Sequence, residues 1–152
     1  MPCAKVVGER RDRPDAFQPG SIVSISAMSF GSLSSAAVEA LNKGAAMAGC
    51  LHNTGEGGIS PYHRHGGDLV FQLGTGYFGC RAPDGTFDPA QFEERARLDS
   101  VRMVELKLSQ GAKPGHGGIL PAHKVTGEIA RARAIPEGRS CLSPPGHSAF
   151  ST

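Results

Sequence analysis

Apolar and polar positions alternate from Val101 to Leu108, in VRMVELKL. The alternation turns Val101, Met103 and Leu106 or Leu108 toward a core and predicts a strand. Ser21 to Ser26, SIVSIS, alternates apolar with hydroxyl residues after Pro19-Gly20 and predicts an earlier one. The period then lengthens. Val38, Leu41, Ala45 and Ala48 fall on one helical face, Ser32 or Ser34 can cap its start, and Gly49 stops it. Cys50 to Asn53 begins a second strand, while DLVFQL, Asp68 to Leu73, is too short for its period to separate helix from strand. A short strand is expected around Tyr77 to Gly79. Phe87 to Leu98 predicts a helix with Asp88 as N-cap and Pro89 at its first position. His123 to Arg133 predicts another, with Val125, Ile129 and Ala132 inward, and Ser140 to Ser143 opens one more strand.

Strands that alternate with helices argue for an α/β fold with parallel strands, and the glycine-rich loops fall after strands, where such folds place their chemistry. A closed (β/α)8 TIM barrel takes about 250 residues, so 152 residues supply about its first half. The expected organisation is a poorly ordered lead-in over residues 1–20 and a partial barrel domain over 21–152, cut short at SPPGHSAFST. Half a barrel exposes two strand edges and an apolar face, so self-association is expected.

Composition narrows the class. Hydrophobic residues make up 39% of the chain and the formal charge is +2, which describes a folded globular protein and names no charged partner. Basic residues are scattered apart from Arg10, Arg11 and Arg13, without interleaved aromatics, so nucleic-acid binding is not expected. No apolar run reaches the roughly 18 to 20 residues of a membrane span, and the N-terminus lacks a signal-peptide core. No membrane association is expected, and a cytoplasmic location is the default. Twenty-one Gly and 11 Pro assign much of the chain to loops. Cys3, Cys50, Cys80 and Cys141 are far apart, which argues against a zinc or iron–sulfur motif and for reduced, structural thiols.

The densest chemistry lies in KLSQGAKPGHGGILPAHK, Lys107 to Lys124. Gly111, Gly115, Gly117 and Gly118 allow close backbone approach, Pro114 and Pro121 restrict the path, and Lys113 among them suits a carboxylate, a phosphate or an acid across a cleft. An ordinary surface loop with a solvated Lys has the same composition. Thr54-Gly55-Glu56-Gly57-Gly58 is a second glycine-lined loop, holding an acid. His63, His65 and Asp68 invite a metal reading, but no third ligand of fixed geometry is evident and a polar loop is expected instead. Gly74-Thr75-Gly76 with Gly79 lacks the spacing of a dinucleotide fingerprint.

SAMSFGS, NTGEGG, GTGYFG, KLSQGAKPGHGG, PAHKV and SPPGH occur in this order between Ser21 and Ser148. Together they closely resemble the FMN-binding synthase domain of the glutamate synthase family, with its short stand-alone members the nearer match. The resemblance implies a (β/α)8 barrel carrying FMN, an oxidoreductase acting on CH-NH2 donors. Its reduced flavin would reduce 2-iminoglutarate, formed from 2-oxoglutarate and ammonia, to glutamate. Transferred by position, Met28, Ser29 and Gln110 would bind the cofactor. Gln110, Lys113 and Arg133 would bind the keto acid, and Glu56 and Lys113 would be catalytic. Arg133 reads equally as a solvated Arg at a helix end. The implied partners are 2-oxoglutarate or a related keto acid and an electron-donor subunit or ferredoxin. Ile119 stands where the long family members usually carry a Gln, and His116 replaces a common acid. The clustered cysteines that hold the family's iron–sulfur centre are absent from this sequence, and Cys3, which precedes no recognisable glutaminase domain, reads as a surface thiol. N-methylglutamate formation is an alternative chemistry among relatives, and an inactive fragment needing a complementary chain is another reading.

Overall fold

Four short strands pair in chain order. They are β1 (Ser24–Ile25), β2 (Leu51–Asn53), β3 (Leu69–Leu73) and β4 (Val101–Leu106), and every pairing is parallel. The computed structural model describes residues 3–11 and 13–150, so parts of the expected lead-in and the last two residues of the expected domain lie outside it. Ser24 sits against Leu51, His52 against Leu69, and Leu73 against Leu106, with a register irregularity between Leu69 and Val70. All five residues of β3 are buried, as expected of a central parallel strand covered on both faces, and this resolves DLVFQL as strand.

Helix α1 (Ser35–Ala48) links the first two strands. Ser34 caps it by accepting the Ala37 N–H at 3.3 Å, and Gly49 ends it with φ 61. Its buried face is Val38, Asn42 and Ala45, so the expected stripe is corrected: Ala48 is exposed and Asn42 takes part instead. Asn42 is tolerated inside because its oxygen accepts from His65 and Gly67 backbone N–H groups at 2.8 and 3.2 Å. Helix α2 (Pro89–Ala96) starts on Asp88, whose carboxylate accepts from Ala90 and Gln91, and sets Phe92 on Phe71 of β3.

Other expectations change in detail. The first strand shrinks to two residues, because only Ser24 and Ile25 find partners in β2. Tyr77 to Gly79 is not a strand: Tyr77 has φ 51 and Gly79 φ 86, which fold the segment into a buried turn. His123 to Arg133 divides into a 3-10 turn, Ala122–Lys124, and helix α3 (Gly127–Arg133). Extended Thr126 interrupts the run and caps the second part. The Lys107 to Lys124 stretch contains β5 (Gly118–Leu120), which pairs antiparallel with β6 (Cys141–Ser143), so the last expected strand does not extend the parallel sheet. In β4 only Val101 and Met103 are half-buried, while Val104, Leu106 and the following Leu108 are exposed.

Two clusters form the interior. Phe71, Leu73, Tyr77 and Cys80 pack with Phe87 and Phe92 on the α2 side of the sheet. Phe30, Val38, Phe78, Leu120, Val125 and Ile129 join α1, α3 and the β5–β6 ribbon. Near the N-terminus, Val7 and Phe17 exchange backbone hydrogen bonds of 2.8 and 3.0 Å, and Arg102 lies over the Phe17 ring.

Candidate functional site

The segments following β1, β2, β3 and β4 all leave the same edge of the parallel sheet, and these segments carry Met28 and Ser29, Glu56, Thr75, and Gln110. Glu56 is their meeting point. Its carboxylate accepts from the Gln110 amide at 3.1 and 2.9 Å, from the Ser143 hydroxyl at 3.1 Å, and faces the Lys107 ammonium at 3.2 Å. Lys107 also donates to Gln110 Oε1 at 3.0 Å, which orients the amide so that its NH2 meets the acid. Gly74 makes room for this group: a Cβ there would stand 2.7 Å from Glu56 Oε2. Sheet and ribbon thus contribute jointly to one charged cluster.

Lys107 lies one residue past β4, and its backbone N–H extends the ladder to the Leu73 carbonyl at 2.9 Å. Its neighbour Glu105 accepts the amides of Asn53, at 3.1 Å, and of Gln72, so three adjacent strands share a polar face below the site. The sequence offers Lys113 for a carboxylate, a phosphate or an acid across a cleft. The ammonium at Glu56 is that of Lys107, while Lys113 is exposed on the rim of an open hollow shared with His116, Ile119 and Leu142.

Arg133 is not a solvated helix end. It is 4% exposed, with Nη2 donating to the Phe30 carbonyl at 3.2 Å, Nη1 facing Cys141 Sγ at 3.6 Å, and the guanidinium over the Phe78 ring. Its Nε has no hydrogen-bond partner, and no carboxylate pairs with it among the described residues. Burial raises the Cys141 thiol pKa despite the nearby arginine, so the group at Arg133 is a neutral thiol. Ser29 and Arg133 converge on Gly57: a Cβ there would meet Arg133 Nη2 at 3.1 Å and Ser29 Cβ at 3.2 Å. A cation kept this dry without an acid is a candidate for an anionic ligand.

Beneath Met28 lies a buried histidine. The Ser60 N–H donates to His63 Nδ1 at 3.1 Å, so the ring proton resides on Nε2, which donates to the Met28 carbonyl at 2.9 Å. Burial lowers the His63 pKa, and the Met28 carbonyl opposes that shift. The neighbouring His52 is pushed down to about 4, by burial first and by the charge of His63 second. Of the other groups weighed for metal binding, His65 faces Glu39 at 3.8 Å and Asp68 accepts from Arg102 at 3.0 Å, so they point to different partners.

Lys107 and Ser143 were not picked out from the sequence. Lys107 was legible in principle, since continuing the β4 alternation sets it on the side of Met103 and Glu105. Ser143 was not, because its place depends on an antiparallel ribbon joining distant segments.

Residues 10–152 match the family model described as the conserved region in glutamate synthase. The chain is similar to the glutamate synthase large subunit-like protein YerD of Bacillus subtilis, at 44% identity over 92% of this chain and 27% of that protein. It resembles the archaeal glutamate synthase (NADPH) of Archaeoglobus fulgidus at 41% identity, over 83% of this chain and 22% of the relative. The archaeal-type glutamate synthase (NADPH) of Thermotoga maritima is 40% identical, over 85% and 23%. The chain spans about a quarter of the length of these relatives.

Proposed function

From the premise that the chain belongs to the glutamate synthase family, we propose that residues 21–152 form part of a (β/α)8 barrel that binds FMN and reduces 2-iminoglutarate to glutamate. Strand order supports the barrel reading: each parallel strand adds beside its predecessor without reversal, as in a singly wound barrel, and the site residues leave the C-terminal edge. The observation that carries the functional reading is the cluster of Glu56, Lys107, Gln110 and Ser143 on that edge, near a buried arginine with no acid partner among the described residues.

The side chains fit distinct tasks. Arg133 and Lys113 supply positive charge for a dicarboxylate, the first dry and fixed, the second exposed and free to swing. Glu56 would hold or deliver a proton at the imine nitrogen, with Gln110 and Ser143 fixing its carboxylate and Lys107 balancing its charge. These side chains also fit a flavin ring system: a thioether at Met28, a hydroxyl at Ser29 that donates to the Ser32 hydroxyl at 2.9 Å, and the amide of Gln110. When bound, FMN would supply the two-electron reduction. Ammonia, 2-oxoglutarate and an electron-donor subunit or ferredoxin complete the proposed reaction, with N-methylglutamate chemistry as the related alternative.

A second reading, a fragment inactive until a complementary chain completes it, is favoured by exposed apolar residues at both sheet edges. Ile22 and Val23 precede β1, and Val104 and Leu106 lie in β4. An FMN titration of the purified chain, read by flavin fluorescence quenching alongside size-exclusion chromatography, separates the two. Saturable binding by a discrete species supports the enzyme reading, and Glu56→Gln is then expected to lower turnover at least about a hundredfold. Absence of binding by the chain alone favours the incomplete-fragment reading.

A further inference from the structure

Tyr77 combines two features rarely found together: a non-glycine φ of 51 and an exposure of only 2%. Such a conformation persists where surrounding contacts over-determine it. Here the contacts come from far along the chain. The Tyr77 hydroxyl oxygen accepts the backbone N–H groups of Ser148 and Ala149, both at 3.1 Å, and lies 3.2 Å from His147 Nδ1. With two donors already on its oxygen, the hydroxyl directs its own proton to Nδ1. The ring proton of His147 therefore sits on Nε2, which donates to the Lys107 carbonyl at 2.8 Å. Thr75 adds a tie from the same loop, donating to the Pro144 carbonyl at 2.6 Å.

These bonds run in one direction, from hydroxyl to imidazole to carbonyl, and end on the residue whose ammonium faces Glu56. We propose that Tyr77 and His147 are positioning residues: they clamp the segment from Ser143 to Ala149 across the site and hold Lys107 in place against Glu56. The clamp spans three parts of the fold, the loop after β3, the loop after β4 and the segment after β6. Loss of the Tyr77 hydroxyl frees the imidazole to turn, the Lys107 carbonyl then loses its donor, and the backbone bearing the ammonium moves. The inference rests on the reading above of Glu56 and Lys107 as part of the site.

The test follows lysine accessibility by reductive methylation and mass spectrometry, with exposed Lys113 as the control within the same chain. Tyr77→Phe and His147→Asn are expected to raise Lys107 labelling roughly tenfold relative to Lys113, through loss of the bonds that fix it. His147→Gln, whose amide can occupy the place of Nε2 and donate to the same carbonyl, is expected to stay near the unsubstituted rate. Unchanged Lys107 labelling in the first two variants overturns the proposal, as does equal labelling in His147→Asn and His147→Gln. Nitrogen NMR of the unsubstituted chain gives a second reading that needs no variant to fold: an Nε2–H tautomer with a bare Nδ1 is expected, and an Nδ1–H tautomer overturns the clamp. Neither readout uses FMN. A chain that fails to bind FMN while passing both tests counts against a flavin site in this chain alone and leaves the clamp standing.

Discussion

Glu56 has one ammonium, one amide and one hydroxyl around its carboxylate. Lys107→Met removes the cation and leaves the half-buried acid uncompensated, so a loss of about 1–2 kcal/mol in stability to urea unfolding is expected, against less than about 0.5 for Lys113→Met. The two buried histidines give a pH signature. Unfolded, each would take up its proton near its ordinary value of 6.5, whereas folded His52 resists protonation down to about 4 and folded His63 is also lowered. Unfolding therefore binds protons. Their contribution is complete above pH 6.5 and is lost progressively as pH falls toward 4. The lowered carboxyls of Glu39, Asp84 and Asp88 lose theirs at more acid pH, below their ordinary values of 4.5 and 3.8. Urea unfolding at about pH 7.5 and about pH 5 is thus expected to differ by roughly 2 kcal/mol, and substituting both histidines should flatten the difference. At this scale Glu56 stood out from a glycine-lined loop after a strand, whereas Gln110 came only from the family resemblance. Arg133 was ambiguous because its helix gives no sign that Phe30 and Phe78 will enclose it.

Among the elements, glycines divide by what surrounds them. Gly44 lies inside α1 with open space where a Cβ would go, so Gly44→Ala is expected to stabilise by about 0.5–1 kcal/mol through helix propensity. Gly58 has φ +80, and a Cβ there would sit 2.2 Å from the Ala132 carbonyl oxygen. Gly58→Ala should cost about 3 kcal/mol or more, with thermal melting as the measurement for both. Helices α1 and α2 were readable because their caps are local: Ser34 and Asp88 satisfy backbone donors two or three residues on. The turn at Tyr77 was not, since its positive φ is stabilised by residues some seventy positions away. The split at Thr126 was missed because helical periodicity continues through a residue whose side chain starts a new helix.

At the scale of the whole molecule, β1 and β4 each pair on one side within the four-stranded sheet. Val104 and Leu106 are 42% and 46% exposed on β4, so self-association through this edge is expected. Val104→Lys with Leu106→Lys should shift the chain toward monomer in size-exclusion chromatography with light scattering, and an unchanged profile would rule out this edge as the contact. Parallel order and the α/β class were legible from alternating periods. The antiparallel β5–β6 ribbon was not, because antiparallel pairing of Gly118–Leu120 with Cys141–Ser143 leaves no mark on either segment alone. The unreversed strand order also bears on how the chain is made. As it emerges during synthesis, every new strand meets a neighbour already present, so the sheet can grow vectorially from β1 to β4. The segment that reaches Glu56, Thr75, Tyr77 and Lys107 emerges after all of them, so it closes over this edge once the four strands already stand.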